Sequence, residues 1–310
     1  MGAFGDCWRR MALAPWGAGV GIEVRRRAAG PYIPPMTTPD GAVGRLVVCP
    51  TPIGNLADIT LRVLDALRDA DAIACEDTRR TRVLLDRYEI AGSLLSYHEH
   101  NERERAGELV GRIRGGAVVA LVSDAGMPLV SDPGYRLVQA CIAAEVPVEV
   151  LPGPSSVLTA LVASGLPAER WRFVGFLPRK RGELERVLAA TPETLVAFES
   201  PGRLAATLDV LAALDPERPV AVCRELTKLH EEVRRGSAGE LAAHYAQSPP
   251  RGEIVLVVGA ASPGSVDRDE ALAALRGLVD AGARARPAAG VVAKLTGTSA
   301  NELYRGLMRS

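Results

Sequence analysis

Residues 118–138 read VVALVSDAGMPLVSDPGYRLV, and this stretch decides the fold. Its first five residues are an apolar run without glycine or proline, which is typical of a strand buried on both faces of a sheet. A loop rich in Gly, Pro, Ser and Asp follows directly. We expect Asp132 to cap the next helix and Pro133 to be its first residue, where the missing N–H of proline costs nothing.

The position of this loop points to a ligand site. Open α/β sheets bind ligands at the carboxyl ends of their strands, and Gly126 and Gly134 allow the main chain to approach a ligand closely. Ser123, Asp124, Ser131 and Asp132 add polar groups. Taken alone, the stretch fits an ordinary strand–loop–helix corner equally well.

Strands alternate with helices through the first half of the chain. Hydrophobic patterns predict strands at residues 45–49, 72–75, 94–97, 118–122 and 146–151. Because helical patterns separate these strands, we predict a mainly parallel sheet with helices on both faces.

The second half has a different rhythm. Only two helices, residues 184–190 and 203–214, are predicted among its strands, and ELTKLHEE around Lys228 is typical of a hairpin. The predicted strands are residues 172–174, 194–198, 220–224, 230–236 and 253–258. We therefore predict an α/β protein with a mainly parallel N-terminal sheet and a mixed C-terminal sheet.

We expect the two α/β domains to occupy residues 44–152 and 153–262. Residues 1–43 are rich in Gly, Ala, Pro and Arg and show no strand or helix period, so we predict a disordered extension or, alternatively, an upstream start codon with the working start near Met36. Residues 263–310 are predicted to form a helical tail. A short turn containing glycine favours a helix-turn-helix, and a helical cap packed on the body is equally compatible with the pattern.

The composition excludes several classes of function. The chain has 37 Lys and Arg against 37 Asp and Glu, so RNA would have to bind a local basic patch rather than a globally basic protein. The five cysteines form no CxxC pair, and neither they nor the four histidines have the spacing of metal ligands, so we expect no metal. We find no signal peptide and no apolar run of about 20 residues, and we expect a cytoplasmic protein without a membrane span.

Four polar loops are expected at the carboxyl edge of the first sheet, with the sequences CPTPIGNL, EDTRRT, HEHNE and SDAGMP. Neither GxGxxG nor GxxxxGK[ST] occurs in them, so a standard dinucleotide site or P-loop is disfavoured. The loops are rich in Pro and Gly and poor in Lys. This composition favours a ligand that is held by main-chain groups and carries little phosphate.

Seven segments together resemble the tetrapyrrole methylase superfamily, and in particular its bacterial branch that methylates the ribose 2′-hydroxyl of a cytidine in 16S ribosomal RNA of the small subunit. In chain order they are CPTPIGNLADIT, ACEDTRRT, SYHEHNE, LVSDAGMPLVSDPG, LPGPSS, FVGFLPRK and RELTKLHEE. Each is weak alone, but seven in order are specific, and they span residues 45–259. Met127 departs from the pattern, since threonine is common there. The tail is similar to the small helical domain of that branch.

The resemblance implies an S-adenosylmethionine-dependent rRNA 2′-O-methyltransferase that is a homodimer and binds its cofactor in the cleft between two α/β domains. The second domain would close over the adenine near residues 198–200 and 251–253. The implied cofactor-binding residues are Pro52, Gly54, Asn55, Ser123, Asp124, Ala125, Gly126, Pro128, Pro154, Ser155, Ser156 and Glu199.

A ribose hydroxyl is a weak acid, so its methylation needs a base or a cation that stabilises the forming alkoxide. The candidates are Glu76, Asp77, His98, Glu99, Lys228 and Glu231. Of these we choose Glu76, Asp77 and Lys228 as catalytic residues. Asp77 could instead cap a helix, and Lys228 could form a surface ion pair of little value.

The best basic patch lies in ERWRFVGFLPRKRGE, residues 169–183. The residues predicted to bind RNA are Arg172, Arg179, Lys180 and Arg181, together with Arg79 from the EDTRRT loop. An exposed aromatic side chain among them would stack a base. Phe173 and Phe176 could equally face the core, as aromatic side chains usually do.

Two other functions remain open. A tetrapyrrole methylase with the same fold would act on a polycarboxylate, which also needs arginines, although the LPRKR loop and the helical tail favour RNA. A non-catalytic RNA-binding assembly factor would keep the basic patch but would bind no cofactor in the cleft.

Overall fold

The computed structural model describes residues 44–189, 191–261 and 268–308. The predicted extension at residues 1–43 lies outside this part of the chain. The elements of the first half are β1 (Arg45–Cys49), α1 (Leu61–Asp69), β2 (Ala72–Cys75), α2 (Thr78–Arg87), β3 (Leu94–Ser96), α3 (Glu102–Arg114), β4 (Val118–Val122), α4 (Tyr135–Ala143) and β5 (Val148–Val150).

The first sheet has the strand order β3-β2-β4-β1-β5, and all of its strands are parallel, as predicted. Its strands are apolar because helices cover both faces. Leu67 of α1 and Leu85 of α2 pack on one face, whereas Ile113 of α3 and Leu137 of α4 pack on the other.

The neighbouring central strands β1 and β4 lead to opposite faces of this sheet. The chain passes from β1 to α1 on one face and from β4 to α4 on the other. Such a reversal opens a crevice at the carboxyl edge of an α/β sheet. Thr51 and Gly126 join the two loops there, each donating its main-chain N–H to the carbonyl oxygen of the other at 2.9 Å.

The second half forms a mixed sheet with the order β6-β7-β10-β8-β9, in which only the β6–β7 pair is parallel. Helices α6, α7 and α8 pack on one face, and α5 packs on the other. The elements are α5 (Ser156–Ser164), β6 (Trp171–Phe176), α6 (Arg181–Ala189), β7 (Thr194–Glu199), α7 (Leu204–Leu214), β8 (Pro219–Arg224), β9 (Glu232–Ser237), α8 (Ala238–Gln247) and β10 (Ile254–Val258). The predicted hairpin around Lys228 is confirmed by the antiparallel β8–β9 pair.

The prediction of only two helices among these strands is wrong, because α8 is a third. Ser237 and Glu240 form a capping box at its start, in which each side chain accepts a hydrogen bond from the main chain of the other. The helix is rich in alanine, so its buried face around Leu241 and Tyr245 contrasts weakly with the rest of its sequence.

The predicted start of α4 is also wrong. The helix begins at Tyr135 after Gly134, and no side chain of its own loop caps it. Instead, the Glu102 carboxylate of α3 accepts hydrogen bonds from the main-chain N–H groups of Gly134 and Arg136 at 3.0 and 3.1 Å. Asp132 therefore does not serve as the N-cap, and its carboxylate is available for another role.

The tail consists of α9 (Arg268–Asp280), α10 (Ala285–Thr296) and α11 (Ala300–Met308). These helices enclose a hydrophobic cluster of their own that includes Leu275, Val292 and Leu303. Within the described residues, the search for a helix long and apolar enough to cross a membrane finds none. A helix-turn-helix function of the tail stays a prediction.

Candidate functional site

A cavity of about 380 Å³ opens between the carboxyl edge of the first sheet and one end of the second. Its walls are the loop after β4, the N-terminus of α5 and strand ends of the second half. The lining residues are Ile53, Ala125, Gly126, Met127, Val130, Ser131, Asp132, Ser155, Ser156, Val157, Phe176, Phe198, Glu199, Ser200, Pro201, Cys223, Leu226, Gly252, Glu253, Ile254 and Val255. The volume lies within the range of about 300–1,000 Å³ that is typical of small-molecule sites.

Five of the predicted cofactor residues line this cavity, namely Ala125, Gly126, Ser155, Ser156 and Glu199. The other seven, Pro52, Gly54, Asn55, Ser123, Asp124, Pro128 and Pro154, lie in the adjoining loops without lining it. Two of them hold loop structure in place. Ser123 Oγ donates to the Gly126 carbonyl oxygen at 3.2 Å, and Asn55 caps the short helix Leu56–Asp58 by accepting from the Ala57 N–H at 3.1 Å.

The loop after β4 has an unusual main-chain conformation. Leu129 and Ser131 have φ angles of 73° and 69°, in a region that residues with a Cβ seldom adopt. Such strain persists where the surrounding structure fixes it, and it clusters at ligand sites. The pairing of Thr51 with Gly126 and the bond from Ser123 provide that fixation.

The N-terminus of α5 forms the second wall. Ser155 caps the helix through its side chain, which accepts a hydrogen bond from the Leu158 N–H at 3.4 Å. Ser155, Ser156 and Val157 all line the cavity. The first N–H groups of a helix lack partners within it and carry partial positive charge, so this wall is complementary to an anionic group.

Asp132 is one of the polar residues that the sequence analysis named in the loop after β4, although not among the implied cofactor-binding residues. It lines the cavity, and burial raises the pKa of its carboxyl to about 7, with the negative charges of Glu76 and Asp124 adding to the shift. A carboxylate in this position favours a cationic ligand, which would restore its ionised form. The expectation that Asp132 caps the following helix is wrong, because Glu102 of α3 caps α4 instead.

Glu199 is a predicted site residue at the end of β7. Its carboxylate is buried and accepts hydrogen bonds from the Ser200 N–H and the Thr207 hydroxyl, both at 2.7 Å. Arg203 Nη2 forms an ion pair with Glu199 Oε2 at 3.3 Å. These bonds and the ion pair with Arg203 hold the carboxylate of Glu199 rigidly within the wall, where its side chain is fully buried.

Asp77 is bound by local partners, as the capping interpretation anticipated. Its carboxylate caps α2 by accepting from the Arg79 N–H at 2.9 Å and pairs with the Arg79 guanidinium at 2.8 Å. These hydrogen bonds lower the pKa of Asp77 to about 2. Asp77 also donates its main-chain N–H to Asp124 at 3.0 Å, which joins the second and fourth loops.

Glu76 is in a different situation from its neighbour. Within the described part of the chain, its carboxylate has no hydrogen-bond or ion-pair partner. Burial raises its pKa, the charge of Asp124 adds to the rise, and Arg80 opposes it. An unengaged carboxylate with a raised pKa is better suited to accept a proton than Asp77 is.

Lys228 forms ion pairs rather than presenting a free ammonium group. Its Nζ lies 2.9 Å from carboxylate oxygens of both Glu225 and Glu253, and Glu253 lines the cavity. Burial alone lowers the pKa of Lys228, but the bonds to the two carboxylates raise it overall. Its stem packs so close to Gly54 that an added Cβ there would lie 2.5 Å from Lys228 Cγ.

The residues predicted to bind RNA are all exposed. Lys180 pairs with Glu183 at 3.6 Å and Arg181 with Glu185 at 2.8 Å. Arg172 and Arg179 have no ion-pair partner in the part of the chain that the structure describes. Both are therefore available to meet phosphates.

Of the two phenylalanines in this patch, one faces the core and the other is exposed. Phe173 packs against the core of the second half. Phe176 is 63% exposed and lines the cavity. Among the described residues, no cluster of His, Cys, Asp or Glu has the arrangement of a metal site.

Comparison with known proteins places this geometry in context. A model of the family described as Tetrapyrrole (Corrin/Porphyrin) Methylases matches residues 45–242. A protein of Mesorhizobium japonicum named Ribosomal RNA small subunit methyltransferase I is 51% identical over 270 residues, which is 85% of this chain and 91% of that protein. A protein of the same name from Micromonospora olivasterospora is 47% identical over 84% of this chain and 85% of its own length.

Solved structures with this fold include uroporphyrin-III-C-methyltransferase from Thermus thermophilus. It is 26% identical, with a TM-score of 0.51, over 70% of this chain and 94% of that one. A structure of uroporphyrin-III C-methyl transferase from the same organism, complexed with S-adenyl homocysteine, has a TM-score of 0.50 at 24% identity, over 70% of this chain and 97% of that one.

Proposed function

Because the chain belongs to the tetrapyrrole (corrin/porphyrin) methylase family, we propose that it uses S-adenosylmethionine to methylate the ribose 2′-hydroxyl of a cytidine in 16S ribosomal RNA of the small subunit. One observation carries this proposal. A chain that is 51% identical to a protein named as a small-subunit ribosomal RNA methyltransferase has a cavity of about 380 Å³ walled by main-chain-rich loops.

The lining of the cavity fits the cofactor chemically. Asp132 is complementary to its positive charge, and the N-terminus of α5 is complementary to its carboxylate. Phe198 and the aliphatic residues beside it provide an apolar wall for the adenine. When bound, S-adenosylmethionine supplies a methyl group on a sulfonium, a good leaving group, so positioning is the main task of the protein.

The remaining task is to accept the proton of the ribose hydroxyl. Of the three residues chosen from the sequence, Glu76 is the one whose carboxylate has no hydrogen-bond or ion-pair partner among the described residues and whose pKa is raised by burial. Asp77 is committed to Arg79, and Lys228 is committed to Glu225 and Glu253. We therefore assign proton acceptance to Glu76 and supporting roles to Asp77 and Lys228.

We assign RNA binding to the exposed basic patch on β6 and the turn that follows it. Arg172, Arg179, Lys180 and Arg181 would contact phosphates, and Arg79 would extend the contact from the loop after β2. Because this patch borders a cavity that is lined by Phe176, the RNA backbone and the methyl donor would meet at the cavity mouth.

A homodimer in the cytoplasm is also part of the proposal. Exposed large apolar side chains occur on α4, β5 and α5, which follow one another along the chain. They are Tyr135, Ile142, Val150, Leu158 and Val162. Contiguous exposed apolar surface marks protein interfaces, and we infer that these residues contribute to one. Sedimentation equilibrium tests this part: twice the chain mass is expected, and a monomer at micromolar concentration would contradict it.

Transfer of a labelled methyl group tests the activity. The protein is incubated with S-adenosylmethionine labelled in the methyl group and with unmethylated small subunits, and the RNA is digested and analysed for 2′-O-methylcytidine. We expect label at one cytidine of 16S RNA. Label absent from the RNA would contradict the proposal.

The rival functions are tested in parallel. Uroporphyrinogen III in place of the subunits tests the tetrapyrrole alternative, which is favoured by the fold of the Thermus thermophilus enzyme. Calorimetry with S-adenosylmethionine tests the assembly-factor alternative, since a pure RNA binder would release no heat of cofactor binding.

A further inference from the structure

Three of the four phenylalanines of the chain meet beside the cavity. The ring centroid of Phe198 lies 5.1 Å from that of Phe173 and 5.4 Å from that of Phe176. Phe173 is accounted for by core packing. Phe176 is not, because it is 63% exposed in a chain with only 4% aromatic residues.

An irregularity in β6 aims Phe176 at the cavity. In a regular strand, residues three apart point to opposite faces, so Phe173 and Phe176 would not contact the same ring. The register between β6 and β7 shifts between these two residues, and Gly175 has a φ of 65°. Bulges of this kind re-aim side chains next to active sites. The shift brings both rings to Phe198 and leaves one face of Phe176 uncovered.

The surroundings of Phe176 select for nucleic acid. Arg172 lies on the same strand, and Arg179 lies in the turn that follows it. Both are exposed and have no ion-pair partner among the described residues. In the register with β7, Arg172 pairs with Leu195 and Phe176 pairs with Phe198, on opposite faces of the sheet, so Arg179 is the cation that can accompany the ring. An exposed aromatic ring followed in the chain by an unpaired guanidinium group matches a nucleotide, whose base stacks while its phosphate is neutralised.

We propose that Phe176 is a stacking platform for a nucleobase of the RNA substrate, at the mouth of the cavity that holds the methyl donor. The inference rests on the proposed function and deepens it. Phe198 supports the ring from behind, and the bulge at Gly175 sets its direction. The platform would hold the target nucleotide, or its immediate neighbour, so that the ribose faces the cavity.

A pair of substitutions separates stacking from hydrophobic contact. Phe176→Leu removes the aromatic face but keeps an apolar side chain, and Phe176→Tyr keeps the face. We expect Phe176→Leu to raise KM for unmethylated small subunits about tenfold or more, the loss expected for one base–aromatic stack. Phe176→Tyr should stay within about twofold of wild type, and calorimetry should give all three proteins the same Kd for S-adenosylmethionine.

The contrary results are distinct. An unchanged KM in Phe176→Leu would overturn the inference. So would an equal loss of S-adenosylmethionine affinity in that variant, since the ring would then stack the adenine of the cofactor. Binding of a single-stranded RNA with 2-aminopurine at the target position is measured in addition. Quenching that is lost in Phe176→Leu and kept in Phe176→Tyr supports the inference even if the wild type transfers no methyl group, and equal quenching in all three overturns it.

Discussion

Two loops at the same edge of the first sheet begin alike and end differently. The loop after β2 and the loop after β4 both follow a buried parallel strand, and both carry acidic residues. In the first, Asp77 caps the helix that follows it. In the second, the helix that follows is capped from outside by Glu102 of α3.

The difference decides which carboxylate can serve a ligand. Asp77 is bound to Arg79, and these bonds lower its pKa to about 2. Asp132 does not cap a helix and lines the cavity instead. Burial and the charges of Glu76 and Asp124 raise its pKa to about 7. Because the cap is supplied by Glu102, the half-buried carboxylate of Asp132 does not bind the start of α4 and faces the cavity, where it can interact with a cationic ligand.

The largest expected effect is on cofactor binding. Asp132→Asn should weaken the affinity for S-adenosylmethionine about ten- to hundredfold, since a hydrogen bond to a charged group contributes about 1.5–3 kcal/mol. Asp77→Asn is the matched control and should leave the affinity within about twofold. Titration calorimetry measures both. Equal losses in the two variants would remove the distinction between the loops.

The next effect is on stability. Glu102→Ala leaves the N–H groups of Gly134 and Arg136 without their acceptor, and we expect it to lower the free energy of unfolding by about 1–3 kcal/mol. Glu104→Ala, at an exposed position of the same helix, should change it by less than about 0.5 kcal/mol. Urea denaturation compares the two, and similar midpoints would show that the external cap contributes nothing.

A smaller effect is the pH dependence that Asp132 imposes. Because its folded pKa is raised from 3.8 to about 7, the folded protein keeps a proton that the unfolded chain releases. The stability from this group is therefore complete below pH 4 and declines as pH rises toward 7. Affinity for the cationic cofactor should instead rise through pH 7, as Asp132 ionises. Asp132→Asn should flatten both curves, in melting temperature and in calorimetry, and unaltered curves would contradict this.

The smallest effect concerns RNA. Arg79 is already paired with Asp77, whereas Arg179 has no ion-pair partner among the described residues. Arg179→Ala should reduce the slope of log K against log salt by about 0.7–0.9, the contribution of one phosphate contact, and Arg79→Ala by less. RNA binding at several salt concentrations measures the slopes. A larger change for Arg79→Ala would show that its pairing with Asp77 opens in the complex.

Much of the fold followed from patterns that are local. The strands of the first sheet are short apolar runs bounded by breakers, and their alternation with helices fixed the parallel arrangement. Helix α8 was not predicted because a short alanine-rich segment shows little difference in hydrophobicity between its buried and exposed faces. The start of α4 was predicted wrongly because the residue that caps it, Glu102 on α3, lies more than thirty residues away in the sequence.

The residues of the cavity were harder to predict from the sequence, because some of them depend on contacts that are distant along the chain. Ala125, Gly126, Ser155, Ser156 and Glu199 lie near the ends of strands and helices, and they were expected at the cavity because the family resemblance implied them. Asp132 and Phe176 reach it through a distant helix cap and a register shift between strands. The distant cap leaves no mark within its own segment, whereas the bulge is marked only by Gly175 inside the strand pattern of β6, which does not by itself say where Phe176 points.

Hydrogen exchange with and without S-adenosylmethionine tests most directly the claim that the methyl donor is held by the loop after β4 and the facing strand ends. The account predicts slower exchange of main-chain amides at residues 123–134, 155–157 and 252–255, with little change at residues 76–81. Protection confined to residues 76–81, or no protection at saturating cofactor, would contradict it.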